Sequence, residues 1–470
     1  METQAVVHGG FGEANFGTAV LGDQRRTRRL VKLPDEIMRH PEGTLPKKLR
    51  APADLKAVYR LMNAEDVTHV SVLEPHRQLT RGRMETCSEV VLIIHDGTEL
   101  DYSGKRSLAE DLGQIGNGHH RGYIVQNSLA VSFPSREVLG LANQILHCRP
   151  EVSEGETRQQ RREKRDRESR LWQRGCEAVG LPPAGRMWVD VSDRGSDVFE
   201  YLAFQHQRGG PYVVRSQHDR QLAVAPADET GSPVHLHDYA RSLPTLGIQE
   251  IEVPARGGTA GRKARVRIGV SPVTLLPPKH PRGAYLNEPL QTWVVYVGEI
   301  NPPAGAKERV EWFLLTNVKT EGAEQANDRV MWYCCRWMGE EFHKAQKTGC
   351  GIELPQFEHV QRLEPMIALL SVVAIGLLQL RWASRQPDAQ HRRATELMPE
   401  SHVAVLSAWR FKKIRLDLTV SEFCLALARL GGHQNRKRDH PPGWLVLWRG
   451  WSVLEDMVAG AVAMRELRCG

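Results

Sequence analysis

Nowhere in the 470 residues do two cysteines stand in a CxxC arrangement. The eight thiols, Cys87, Cys148, Cys176, Cys334, Cys335, Cys350, Cys424 and Cys469, lack both the density of a disulfide-stapled secreted protein and the paired spacing of a zinc finger. Nothing from Met1 to Gly17 has the basic start and apolar core of a signal peptide, so a reducing cytoplasm is the expected compartment. Long hydrophobic runs are scarce as well. The longest, Pro365 to Leu380, is interrupted by Ser371, Gly376 and Gln379 and falls short of the roughly 18 to 20 residues of a membrane span. A buried helix is expected there instead. Neither sign of charge dominates: 63 Lys plus Arg stand against 56 Asp plus Glu, a net charge of +7 that favours an anionic partner only weakly over this length. What remains is 41% hydrophobic with a mean hydropathy of -0.42, the profile of a soluble globular chain. It is long enough for two to four domains.

The chain opens with a basic helical segment. Asp23 is a fitting N-cap for Gln24-Arg25-Arg26-Thr27-Arg28-Arg29-Leu30. At about 100° per residue, Arg25, Arg29 and Lys32 share one face with Leu30 and Ile37 roughly opposite, and Pro34 is expected to kink or restart the helix. Leu55 to Met62 reads as a second helix, with Lys56, Tyr59 and Arg60 outside its apolar positions. Such basic residues suit either a solvated face or a phosphate backbone.

From Val90 the texture changes. Val90 to Ile94 is a continuous β-branched run suited to a strand buried on both faces, ending in His95-Asp96. Tyr123 to Phe133 and Val138 to Leu146 read as two further strands around a Pro134-Ser135-Arg136 turn, completing a meander. Glu156 to Trp172 interleaves charges like a solvent-exposed helix. Met187 to Val191 is another buried-type strand leading to Asp193, followed by a helical Asp197 to Phe204 and the strand Tyr212 to Arg215. The order is thus βββαβα. A β-rich stretch to about Asn317 looks like an inserted sheet, with a basic Gly-rich hairpin tip at 256–263. Helical patterning resumes from Asp328 to Trp382, and a polar linker from Arg385 to Pro399 precedes a C-terminal helical segment.

Two buried-type strands that each lead to an aspartate can bring hard oxygen ligands to a rim where substrate reaches them, although a lone strand-end aspartate more often caps a turn. The segment Tyr333 to Lys347 adds to this. Wound as a helix, it gathers Tyr333, Arg336, Glu340, Lys344 and Lys347 within about 80°, with Met331, Cys335, Met338, Phe342 and Ala345 opposite. A simple surface helix can show that pattern. One carboxylate among an arginine, a tyrosine and two lysines is better suited to holding phosphates around a metal ligand.

The spacing Tyr-x2-Arg-x3-Glu-x6-Lys, filled by Tyr333, Arg336, Glu340 and Lys347, resembles the YREK signature of the IS-four family of bacterial cut-and-paste DDE transposases, and of its Tn-five type in particular. Leu21-Gly22-Asp23-x-Arg25-Arg26, His95-Asp96-x-Thr98, Asp193-Arg194-x-x-Asp197, Val213-Val214-Arg215-Ser216 and Ala428-Arg429-Leu430-Gly431-Gly432 are similar to that family in the same order. His95 departs from it, since a near member carries an acid there, and the 256–263 loop does not align.

The resemblance implies an α/β, RNase-H-like catalytic core with a β-rich insertion, flanked by helical domains. Residues 1–72 would bind the transposon end, 73–384 would form the core with its insertion at about 218–317, and 385–470 would dimerise. It further implies a DDE triad of Asp96, Asp193 and Glu340 holding two Mg2+ ions, for which Mn2+ can substitute. Hydrolysis of one strand, hairpin formation, hairpin opening and joining of the 3′ ends to target DNA would follow. The implied contacts to double-stranded DNA are Arg25, Arg26 and Arg29 in the end-binding helix, and Arg215, Tyr333, Arg336, Lys344 and Lys347 near the cut. Trp312 would be the stacking partner of an extruded base. The implied assembly is a homodimer in a bacterial, nucleoid-associated synaptic complex. Trp444, Trp448 and Trp451 share a helix face that serves either core packing or pairing. Two alternatives are an inactive or domesticated DNA-binding derivative and another RNase-H-like nuclease.

Overall fold

The computed structural model describes residues 10–469 apart from 151–154, 158–159, 161–162, 165, 224–233, 254–260, 280–286, 304–308, 437–438 and 440. Four helices lead: α1 (Phe11–Phe16), α2 (Gln24–Arg39), α3 (Leu45–Lys48) and α4 (Pro52–Met62). Asp23 caps α2 as its side chain accepts the Arg25 amide. The expected interruption at Pro34 does not occur: α2 runs through it, and the ring is buried beside Leu30, Leu33 and Ile37. Burial on the core side offsets the hydrogen bond that proline cannot make. The longer α5 (His69–Thr86) starts in a capping box of Thr68 and Ser71.

The strands β1 (Val90–Asp101), β2 (Gly113–Gln114), β3 (Arg121–Phe133) and β4 (Val138–His147) follow, with the turn at 134–136 as expected. β1 does not stop at Asp96. It pairs antiparallel with β3 from Val90 opposite Phe133 to Asp101 opposite Gly122, so ladder bonds carry the strand five residues past Asp96. Helix α6 (Leu171–Val179), strand β5 (Trp188–Ser192), helix α7 (Phe199–Arg208) and strand β6 (Tyr212–Arg215) complete the core. β5 lies parallel to β1, and β6 parallel to β5. The resulting order β4-β3-β1-β5-β6 is that of an RNase-H-like α/β core. Part of the charged stretch 156–172 lies outside the described residues. Where it is described, Arg167 and Arg170 are largely buried against Glu200 rather than solvated.

The insertion contains α8 (Leu236–Ser242), β7 (Gly247–Val253), β8 (Arg262–Leu275), β9 (Leu290–Glu299) and β10 (Glu311–Thr316). It is not a sheet of its own. β10 pairs antiparallel with β6, Leu314 opposite Arg215, so the order continues β6-β10-β9-β8-β7 as one ten-stranded mixed sheet. β7 and β8 pair up to Val253 opposite Arg262; of the expected basic tip, residues 256–260 lie outside the described residues, while Arg262 and Lys263 belong to β8 and pair with Glu299 and Glu250.

The last third is helical: α9 (Gly322–Cys335), α10 (Trp337–Lys344), a π-helical turn (Ala345–Gly349), α11 (Val360–Ala383), α12 (Glu400–Phe411), α13 (Val420–Leu430) and α14 (Trp444–Cys469). α11 is long and apolar enough to cross a membrane, yet its most apolar window is 94% buried inside the fold. One hydrophobic cluster runs from Phe16 and Ile37 through Ile94 and Val125 to Leu369, Phe423 and Trp448. Helices from both ends of the chain therefore share a core with the sheet, and α11 is its centre.

Candidate active site

Side chains alternate along a strand. With Ile94 of β1 in register with Val191 of β5, Asp96 and Asp193 project from the same face of the sheet just beyond the paired segment. Asp193 also caps a short turn, its Oδ1 accepting the Gly195 amide at 3.0 Å. The helix pair α9–α10 brings Glu340 over this edge. Its approach is close because residue 339 is glycine: a Cβ there would lie 3.1 Å from both Cβ and Oδ2 of Asp96. Asp96, Asp193 and Glu340 line one pocket of about 470 Å³, and Arg194, Arg215, Arg336, Lys344 and Lys347 surround them.

Arg336 occupies the joint between α9 and α10. Its guanidinium donates to Asp96 Oδ2 at 3.2 Å and to Glu340 Oε1 at 3.1 Å. Asp96 is largely buried, and that desolvation, reinforced by the like charges of Asp193 and Glu340 and opposed by Arg336, pushes its carboxyl up to about 7. Three carboxylates converging on one pocket form the hard-oxygen donor set a Mg2+ or Mn2+ ion satisfies, and a divalent cation would offset the repulsion that Asp193 and Glu340 exert on Asp96. The residues present therefore fit the group. Tyr333 is buried, which raises its phenol, and Arg336 and Arg215 pull it the other way. Lys344 lies 5.1 Å from the Trp337 ring centroid, and Lys347 pairs at 3.7 Å with Glu353.

The remaining expected residues lie elsewhere. Trp312 does not line the pocket; half-buried on β10, it meets Tyr333 edge-on with ring centroids 5.1 Å apart. Arg25, Arg26 and Arg29 are not brought to the pocket either. Each is paired with a carboxylate, Arg25 with Asp23, Arg26 with Asp66 at 2.7 Å and Arg29 with Asp54 at 2.8 Å. Exposed pairs of this kind are worth about 0 to 1 kcal/mol and can yield to phosphates.

Thr98, Arg194 and His343 line the pocket although no role was expected for them. Two of these were findable. Thr98 is two residues from Asp96 on the same strand face, and His343 is one helical turn from Glu340. Burial, with Lys347 and Arg336 nearby, lowers the His343 imidazole to about 3, so it is neutral across the physiological range.

The pocket thus joins a carboxylate cluster suited to divalent metal with a rim of cations suited to phosphodiesters. Residues 8–67, which contain α1 to α4, match the family model described as transposase DNA-binding. The chain is similar there to DNA-binding transposases, and DNA is the partner this match supports.

Proposed function

We propose that this protein is a DDE transposase that binds the ends of a mobile element through its N-terminal helices, excises it and joins its 3′ ends to target DNA. The observation that carries the proposal is the convergence of Asp96, Asp193 and Glu340 on one pocket rimmed by arginines and lysines. When bound, two Mg2+ ions would lower the pKa of the attacking water or 3′-hydroxyl and stabilise the leaving oxygen. The chain's own part is positioning and charge. The three carboxylates hold the ions at the sheet edge. Arg215, Arg336, Lys344 and Lys347 orient the scissile strand so that successive attacks are in line. Tyr333 backs the guanidinium of Arg336 at 6.0 Å, and Trp312 beside it offers a ring for an unstacked base. Neutral His343 serves as a hydrogen-bonding wall rather than a charge.

Two ends must be held together for cut-and-paste chemistry, and we assign that role to α14. Trp444, Trp448 and Trp451 are buried, and Trp448 donates its indole N–H to the Leu377 carbonyl of α11 at 3.2 Å, so these rings pack the fold. Beyond Val458 the helix is exposed residue after residue to Leu467, with Val462, Met464 and Leu467 among its side chains. An apolar helix end projecting in this way suits pairing of two copies of the chain.

The test is incubation of the protein with DNA carrying its element's ends and Mg2+, with products resolved on a denaturing gel. Nicked, hairpin and excised species are expected in that order. End binding without any Mg2+-dependent product would mean that the chain only binds DNA.

A further inference from the structure

On the other face of the sheet, directly behind the pocket, the same two strands carry a buried polar knot. His95 precedes Asp96 and Asp190 lies three residues before Asp193, so both point away from the pocket. His95 Nε2 and Asp190 Oδ1 are 2.8 Å apart, with residue exposures of 0% and 4%. Ser128 Oγ of β3 holds His95 Nδ1 at 3.0 Å. From α7, Gln205 at 2.9 Å and Arg208 at 3.2 Å donate to Asp190 Oδ2. Cys176 of α6 lies 3.4 Å from His95 Nε2. Above the ring there is no slack: a Cβ at Gly175 would lie 3.0 Å from His95 Nδ1. Burial pushes the Asp190 carboxyl up, but its bonds to His95, Arg208 and Gln205 outweigh that and hold it below the ordinary range.

His95, Cys176 and Asp190 are all metal-ligating types within 4.8 Å of one another. Their spacing is nevertheless that of direct bonding. Across a tetrahedral zinc the N···O separation is roughly 3.3 Å, longer than the 2.8 Å found, and the second oxygen of Asp190 is already taken. Both oxygens of Asp190 and both ring nitrogens of His95 are engaged without an ion.

We propose that His95 and Asp190 are a positioning pair that locks β1 against β5 from behind and thereby fixes the spacing of Asp96 and Asp193 in front. The inference rests on the reading of those two aspartates as metal ligands. The paired segment of β1 and β5 is short, Val91 to His95 against Trp188 to Ser192. A slip of two residues keeps every apolar side chain on its own face, so hydrophobic patterning alone does not oppose it. The His95–Asp190 bond does. It runs diagonally, since the register partner of His95 is Ser192 and that of Asp190 is Ile93. A two-residue slip of about 6.6 Å that carries Asp190 opposite Val91 would break it and strand a carboxylate in the interior, and the reverse slip, which sets Asp190 squarely opposite His95, would lose the diagonal geometry in which the bond is made. A buried ionisable pair is a poor source of net stability, and fixing a register is the role it performs well.

The test compares Mn2+ affinity by calorimetry, the Mg2+ concentration for half-maximal nicking, and DNA-end binding in the full chain. His95→Leu fills the volume without donating to Asp190, and His95→Gln restores a donor at nearly the same place. His95→Leu is expected to weaken Mn2+ binding and raise the Mg2+ requirement by about tenfold, as loss of partners behind metal ligands does, with end binding unchanged and His95→Gln within about twofold of the parent. Should His95→Leu fail to fold, Ser128→Ala removes only the Nδ1 partner and is expected to weaken Mn2+ binding by about threefold. Parental Mn2+ affinity in a folded His95→Leu, or in Ser128→Ala if that alone folds, overturns the lock while leaving the triad standing. If Asp96→Ala does not change the Mn2+ affinity of the parent chain, the triad falls and the lock with it.

Discussion

At Lys48 a primary amine lies inside the fold with 2% exposure, its Nζ donating to the Pro41 carbonyl, and burial brings its pKa down to about 8. The sign of the consequence follows from proton counts. Below pH 8 both folded and unfolded chains carry the charge, and the full cost of burying it is present. Between pH 8 and the unfolded value of 10.5 the unfolded chain binds more protons, so stability rises with pH. Lys48→Met should therefore stabilise the protein at pH 7 by roughly 2 to 3 kcal/mol, with the difference from the parent vanishing near pH 10.5. Denaturant melts at the two pH values check this, and a less stable variant at pH 7 contradicts it. Asp96 shifts the other way. With its carboxyl near 7, metal must displace a proton in the acid range, and Mn2+ affinity should fall by up to tenfold per pH unit below that point. Alanine at Asp96, Asp193 or Glu340 should each abolish cleavage and spare end binding, because α1 to α4 lie outside the pocket. Mg2+-dependent nicking by any of the three removes that residue from the ligand set.

Among the elements, the glutamate helix is the one whose interior differs from its sequence pattern. Tyr333, Arg336, Glu340, Lys344 and Lys347 read as one face of a continuous helix, but the chain tightens at Arg336, whose amide bonds back to Tyr333, and widens into a π turn after Lys344. A tight turn advances about 120° per residue and a π turn less than the α value, so the two departures drift in opposite directions. All five side chains consequently still line the pocket. Their spacing was legible for that reason, whereas neither irregularity was, because backbone bonding rather than residue type creates them. Val90 to Ile94 was legible as a strand through its β-branched run. Gly97 to Asp101 was not, since only pairing with β3 holds it. His95 was conspicuous in the sequence, but its partner Asp190 is 95 residues away and only the fold brings them together. The glutamate helix also separates two roles. Lys347 bonds no triad carboxylate, so Lys347→Ala should spare the first nick and slow hairpin formation. Arg336 bonds two of them, so Arg336→Ala should impair both steps. Single-turnover gels resolve the two products, and equal loss at both steps in Lys347→Ala would make that residue a general DNA contact.

At the scale of the whole molecule, helices from both ends of the chain share the largest hydrophobic cluster with the sheet. Because Trp444, Trp448, Trp451 and Leu454 belong to the cluster that also holds Leu30 and Ile94, ending the chain after Pro442 would strip the interior. Removing buried tryptophans typically costs about 3 to 5 kcal/mol each. The informative truncation is after Val458, which removes only the exposed part of α14. That protein should melt like the parent and bind single ends, yet fail to form a two-end complex on a native gel and fail to excise. Full excision by it would relocate the pairing surface. The shared core also constrains how the protein is made. α5 and α2, which begin within the first 70 residues, pack against α11 at 360–383. During synthesis, N-terminal segments ordinarily fold as they emerge. Here the leading helices must wait, partly unsatisfied, until some three hundred further residues have left the ribosome. A nascent chain is therefore without a finished DNA-binding region until its carboxylate pocket is also nearly complete.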